Sequence, residues 1–218
     1  NAIDAFTTLE KKYPESEFAA LGLLEYGFLM KKMSDVTKAD SIFQVIIKKY
    51  PNDQNSAQAG FERAVIKHEM GDTLAAMKLY RETADKYKGS EFGEQSRYRI
   101  AGYYRNKGMY DSARAEYKII AESMTDYTLC AEAQFRIGEL WMRDTIWVNA
   151  RDAFNVVREK FAGVETWYPL SMLNLGEVYE KLGELDKAKE IYNALLAQRP
   201  DDEYGKTVKL RLKRLEKK

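Results

Sequence analysis

The residue types that build catalytic centres are scarce in this chain, and none stands at a working spacing. His68 is the only histidine and Cys130 the only cysteine. A metal set rich in imidazole or thiolate therefore lacks donors, and no internal disulfide can form. A nucleophile pair of Cys130 with His68 would have to join distant segments, so Cys130 reads as a small hydrophobe. The sequence contains no GxxxxGK-Ser/Thr loop, no GxGxxG and no HExxH, which removes common phosphate-binding and zinc-hydrolase constellations. Carboxylates are abundant but scattered among lysines, as on a solvated helix surface. They do not form an obvious facing acid pair of the kind glycoside hydrolysis requires. The expectation is a non-enzyme without cofactor or metal.

Charge carries two further readings. Lys206, Lys209, Arg211, Lys213, Arg214, Lys217 and Lys218 crowd the C-terminal end. Cations near a helix C-terminus are favoured by its dipole, so this end reads as a polar cap. The alternative, a contact with nucleic acid or acidic lipid, would show steep salt dependence. A net charge of only +1 gives no global field to support it, and no nucleic-acid partner is expected. Arg63 and Lys67 stand where the surrounding pattern calls for large apolar residues. Their stems are expected to pack while their charges reach water; the sharper alternative is a polar pocket for a carboxylate. The longest nearly apolar stretch, Phe18 to Met30, contains Glu25 and is too short to cross a bilayer.

What must position these residues is a repeat. Ala2, Ala39, Ala76, Ala113 and Ala150 recur at intervals of 37 residues, and Ala188 follows at 38. Phe6, Phe43, Tyr80, Tyr117, Phe154 and Tyr192 stand four residues after them. That step places alanine and ring on one helical face. Six registered copies mean one helical unit repeated, each burying its apolar face against the next. A composition of 45% apolar and 32% charged residues, with only 4 prolines, suits such a helical chain.

Taken in order, residues 1–14 form a half-repeat that ends at Tyr13-Pro14, since Pro14 cannot continue a helix, and Ser16 is placed to cap the next one. A half-repeat leaves an apolar face uncovered, so further repeats are expected upstream. Five helix–turn–helix repeats follow at 15–51, 52–88, 89–125, 126–163 and 164–200. Residues 201–218 form a capping helix with Tyr204, Val208, Leu212 and Leu215 along one face. The turns fall near Ser34-Asp35, Gly71-Asp72, Gly108, Asp144-Thr145 and Gly183, and glycine suits the left-handed C-cap there. Gly27, Ala64, Ala101, Gly138 and Gly176 hold one register of the first helices. Glycine inside a helix costs roughly 1 kcal/mol against alanine. Its return implies close approach of the partner helix, with the ladder alanine expected opposite.

Met172-x2-Leu175-Gly176-x2-Tyr179, then Ala188-x3-Tyr192 and Pro200, resembles the tetratricopeptide repeat (TPR) signature except at the first position, where Met replaces Trp. The first repeat is similar through Gly27, Ala39, Phe43 and Pro51. The resemblance implies an all-α fold, a right-handed TPR-like α-solenoid of antiparallel helix pairs with a C-terminal capping helix. It also implies a protein–protein interaction scaffold with no catalytic residues. The 37-residue period, with Tyr-Pro at 13–14 and 50–51, resembles the long-repeat TPR proteins of bacterial envelopes. These include the lipoprotein of the outer-membrane β-barrel assembly machinery and the periplasmic coordinator of the Tol-Pal system. That likeness favours the periplasm or envelope and a larger parent protein; the sequence alone leaves the cytoplasm open.

In TPR proteins the first helices line a concave wall. Carried onto this sequence, the wall comprises Leu24, Phe28 and Lys31 from the first repeat and Phe61, Val65 and His68 from the second. Tyr98, Arg105 and Asn106 follow from the third, Glu139, Met142 and Arg143 from the fourth, and Glu177 and Glu180 from the fifth. The alternative for Phe61, Tyr98, Phe135 and Leu173 is packing against the neighbouring repeat. Apolar residues beside Arg105 and Arg143 would suit a peptide or protein partner with apolar anchors and an acidic group. The alternative is a structural spacer or homo-oligomeric module whose groove is filled by its own repeats or a second copy.

Overall fold

Short turns between periodic segments force neighbouring helices to pair antiparallel, and the structure is built of such pairs. A computed structural model describes residues 18–217, together with Phe6, Thr8, Lys12, Tyr13 and Ser16. Ala2, Leu9 and Pro14 of the expected half-repeat lie outside the described residues. Among the described residues there are eleven helices and no strand. The pairs are α1 (Ala19–Lys32) with α2 (Val36–Lys49), α3 (Gln54–Glu69) with α4 (Thr73–Lys86), and α5 (Glu91–Asn106) with α6 (Tyr110–Ser123). Then come α7 (Tyr127–Arg143) with α8 (Trp147–Lys160), α9 (Trp167–Lys181) with α10 (Leu185–Gln198), and the single helix α11 (Glu203–Leu215). The chain divides into two compact units, residues 1–100 and 101–218, with the division inside α5.

In each unit the ladder is the core. Ala39, Ala76, Ala113, Ala150 and Ala188 are fully buried, and so are Phe43, Tyr117, Phe154 and Tyr192. Unit 1 gathers Leu23, Tyr26, Met30, Phe43, Ile46 and Ile66 into one cluster, against which Phe6 also packs, stacked on Tyr26. Unit 2 gathers Phe135, Phe154, Val157, Leu175, Tyr192 and Leu195, and the capping helix adds Val208 and Leu215. Tyr204 and Leu212 pack beside them, as the inner face of a cap requires.

The glycine register works differently from expectation. A methyl built on Gly27 would meet Phe43 Cε1 at 2.3 Å, one on Gly138 would meet Phe154 Cε1 at 2.5 Å, and one on Gly176 would meet Tyr192 Cε1 at 2.2 Å. It is the ladder ring, not the ladder alanine, that lies on the bare backbone. Van der Waals exclusion leaves no room there for a side chain.

All five turns inside the repeats share one geometry. Ser34 (φ 64°), Gly71 (83°), Gly108 (74°), Thr145 (60°) and Gly183 (77°) occupy the left-handed region. The next amide reaches back to the first helix, as in Asp35 N–H to Met30 O at 2.9 Å and Ile146 N–H to Trp141 O at 3.0 Å. This is a Schellman closure. Ser34 and Thr145 hold it without glycine's freedom, and Thr145 is β-branched. At the N-terminal end Ser16 Oγ accepts from Phe18 N–H (3.3 Å), but α1 starts only at Ala19, with no side-chain cap. Cys130 occupies the register of Ser56. The Ser56 hydroxyl donates to Tyr50 O (2.6 Å) and the Cys130 thiol to Ile120 O (3.1 Å), so this buried cysteine ties the start of α7 to the helix before it.

Candidate partner-binding face

The phenols of the ladder feel charged groups carried by the first helices. Burial pushes the Tyr117 phenol up, with the charges of Arg105 and Arg136 opposing the shift and those of Glu132 and Glu139 adding to it. Tyr80 has the same relation to Arg99, Glu62 and Glu69. Tyr192 donates to Glu180 Oε1 (2.7 Å), and burial first, then that bond, push its phenol up.

Most of these charges are struts. In unit 1 Lys31 Nζ pairs with Glu62 Oε2 (2.6 Å), joining α1 to α3. Arg63 Nε and Lys67 Nζ both close on Asp40 of α2, at 2.7 and 3.1 Å. Burial alone would push the Asp40 carboxyl up, but the hydrogen bonds from Arg63 and Lys67 outweigh it and hold it below the usual range. The two heads are therefore turned onto Asp40, with the Arg63 side chain 15% and the Lys67 side chain 28% exposed. The carboxylate they take is the chain's own.

In unit 2 Arg136 donates to Glu132 (3.0 Å) and Glu139 (2.8 Å), with its guanidinium 5.0 Å from the Trp167 ring centroid. Arg114 holds Asp111 and Asp144 and stacks 3.6 Å from the Trp141 centroid. Arg211 pairs with Glu177 (3.0 Å) and Glu180 (3.7 Å), and Arg214 with Glu180. Arg105, Lys107 and Arg143 stand apart from these struts. Among the described residues no carboxylate lies within ion-pairing distance of Arg105, Lys107 or Arg143. Lys107 lies over Tyr103 at 5.8 Å and Arg143 over Tyr110 at 5.0 Å. Also among the described residues, no group of three or more His, Cys, Asp or Glu converges on one point, and no helix is long and apolar enough to cross a membrane.

A family model described as a tetratricopeptide repeat-like domain matches residues 52–217, and one described as a tetratricopeptide repeat matches 22–53. The chain belongs to the tetratricopeptide repeat family. Its structure is similar to that of BtubC from P. vanneervenii at 14% identity and TM-score 0.63, over 91% of this chain and 87% of that one. YrrB, described as a TPR protein with an unusual peptide-binding site, is similar at 16% identity and TM-score 0.57, over 94% and 97% of the two chains. A TPR protein from Parabacteroides merdae is similar at 16% identity and TM-score 0.57, over 88% and 73%. No curated protein matches the chain. The fold is thus an all-helical TPR-like solenoid. TPR folds are generally interaction scaffolds for proteins and peptides, and generally non-catalytic.

Against that TPR frame the expected wall residues separate. Leu24 and Phe61 are buried, Leu24 in the unit 1 core and Phe61 between the rings of Tyr80 and Phe92 at 5.6 and 5.7 Å, so neither lines an open wall. Phe28 is edge-on to Phe43 (5.6 Å). Lys31 and Glu139 are held in ion pairs. Glu177 and Glu180 are held by the TPR cap, which a sequence read one repeat at a time could not show. Val65 and Tyr98 are half-buried, and His68 is exposed. Arg105 and Met142 are half-buried, Asn106 and Arg143 exposed, all at the C-terminal ends of α5 and α7. Lys107 was absent from the expected set, although it directly follows Asn106. Arg136 was missed as a strut, yet it stands 37 residues after Arg99, in the register of Glu62.

Proposed function

We propose that the chain is a non-catalytic docking scaffold whose first-helix wall in unit 2 takes a peptide or protein segment carrying a carboxylate beside apolar anchors. The observation that carries this reading is that, among the described residues, Arg105 and Arg143 have no carboxylate at ion-pairing distance while other arginines of the unit are consumed internally. Planar guanidinium forks suit carboxylate, and Met142 offers an adaptable apolar contact beside them. YrrB's described peptide-binding site supports the same use of the fold. The long period and the Tyr-Pro links support a place in a larger bacterial envelope protein. Replacing both residues, Arg105→Glu with Arg143→Glu, is expected to abolish capture of the partner from native extract while helicity by circular dichroism stays unchanged. Unchanged capture rejects the reading.

A second reading draws on the C-terminal end, where Arg211 and Arg214 of the cap occupy the acids of α9. There the wall is covered by the chain itself, as in a spacer or self-associating module. A longer chain whose added repeats fill the wall around Arg105 would favour it.

A further inference from the structure

One register at the turns departs from helix-capping rules in unit 2 alone. The second helices of the first two repeats begin on Asp35 and Asp72, whose carboxylates accept from Lys38 N–H and Ala75 N–H, both at 3.1 Å. The equivalent positions in the next two repeats are Met109 and Ile146, neither of which makes a side-chain cap bond. Both are apolar at a position where Ser, Thr, Asp and Asn are preferred, and both face water, at 49% and 43% exposure. Val148, also 47% exposed, lies two residues beyond Ile146. Unit 1 exposes Met33, Met70 and Leu74 at its turns as well, but there the cap bonds are kept. Local rules broken together, without a gain inside the fold, mark surfaces kept for another purpose.

Two contacts bring together the turns that carry these bare caps. Arg143, three residues before Ile146, lies over the ring of Tyr110, the residue after Met109. Arg114 ties Asp111 of one turn to Asp144 of the next. Around this apolar edge stand Lys107 and Arg143, with no carboxylate to pair them among the described residues. We propose that this edge of unit 2 is a docking surface for an acidic amphipathic segment of another protein. Its apolar side chains cover Met109, Ile146 and Val148, and its carboxylates meet Lys107 and Arg143. A second copy packed edge to edge would bring those cations against their own images, which opposes self-association.

The test uses the full chain and a fluorescein-labelled synthetic peptide with Leu at every third or fourth position and Glu between, read by anisotropy. A peptide with Lys in place of Glu serves as its counterpart. The Glu peptide is expected to bind and the Lys peptide not. Met109→Ser with Ile146→Ser restores neutral caps, so it is expected to raise the melting temperature and weaken the Glu peptide at least tenfold. Met33→Ser with Met70→Ser is expected to leave it unchanged. Absence of binding, equal binding of both peptides, or affinity unaltered by the double serine variant overturns the proposal. So does a concentration-dependent dimer that the variant dissolves, since a second copy would then be the occupant. Arg143 is shared with the wall proposed above, so Arg105→Glu separates the two. If it abolishes binding and the serine variant does not, the peptide sits on the wall and the edge proposal fails.

Discussion

The junction between the first and second repeats and that between the third and fourth occupy one register and are closed by different chemistry. In unit 1 Asp40 meets Lys67 and Arg63, a carboxylate between two cations. In unit 2 the position of Asp40 is taken by Arg114 and that of Lys67 by Trp141, and the guanidinium stacks on the indole instead. Repetition therefore preserves which positions touch, not what they say to each other. A cation in such a chain cannot be assigned to a partner until the residue one repeat back is known.

The largest expected effect tests the ionic junction. Asp40→Ala leaves Arg63 and Lys67 mostly buried and unpaired, and is expected to cost about 2–4 kcal/mol in urea unfolding. Arg114→Ala loses the indole stack but leaves Asp111 and Asp144 free to hydrate, and should cost about 1–2 kcal/mol. Equal losses would mean that the two junctions are energetically alike after all. Acid should separate them further. The Asp40 carboxyl is held below 3.8, its ordinary value, so its contribution is fully present above that pH and is lost as pH falls through the lower folded value. Asp40→Asn should therefore flatten the stability profile below about pH 4; an unchanged slope in pH-resolved melts would remove Asp40 from the account. The smallest effects are at the turns. Thr145→Gly is expected to stabilise by roughly 1 kcal/mol and Ser34→Gly by less, because the β-branched residue is the more strained in the left-handed region. Thermal melts that rank them in the opposite order would contradict that.

The ladder, the turns and the cap were legible because each is periodic and depends on backbone geometry or apolar burial, which residue type reports directly. Thr145 and Ser34 show the strength of that signal, since the turn keeps its left-handed residue even without glycine. The wall was legible only in part. Long charged side chains choose partners across repeats, so Glu177 and Glu180 looked free until Arg211 and Arg214 were placed on them. Arg63 and Lys67 were expected to carry their charges to water, with a pocket for a carboxylate as the alternative, and the carboxylate they meet lies 23 and 27 positions upstream. Gly27 and Gly176 were recognised as contact points, but a single helix pattern could not tell whether methyl or ring would arrive there.

The rings seated on Gly27, Gly138 and Gly176 also limit how such a chain can be rearranged. The second and third repeats carry Ala64 and Ala101 at that seat, so transplanting one of their first helices in front of Tyr192 would drive a methyl into the phenol. Equal length makes the repeats look like exchangeable modules. Shuffling succeeds only when each first helix travels with the second helix whose ring it was cut to receive.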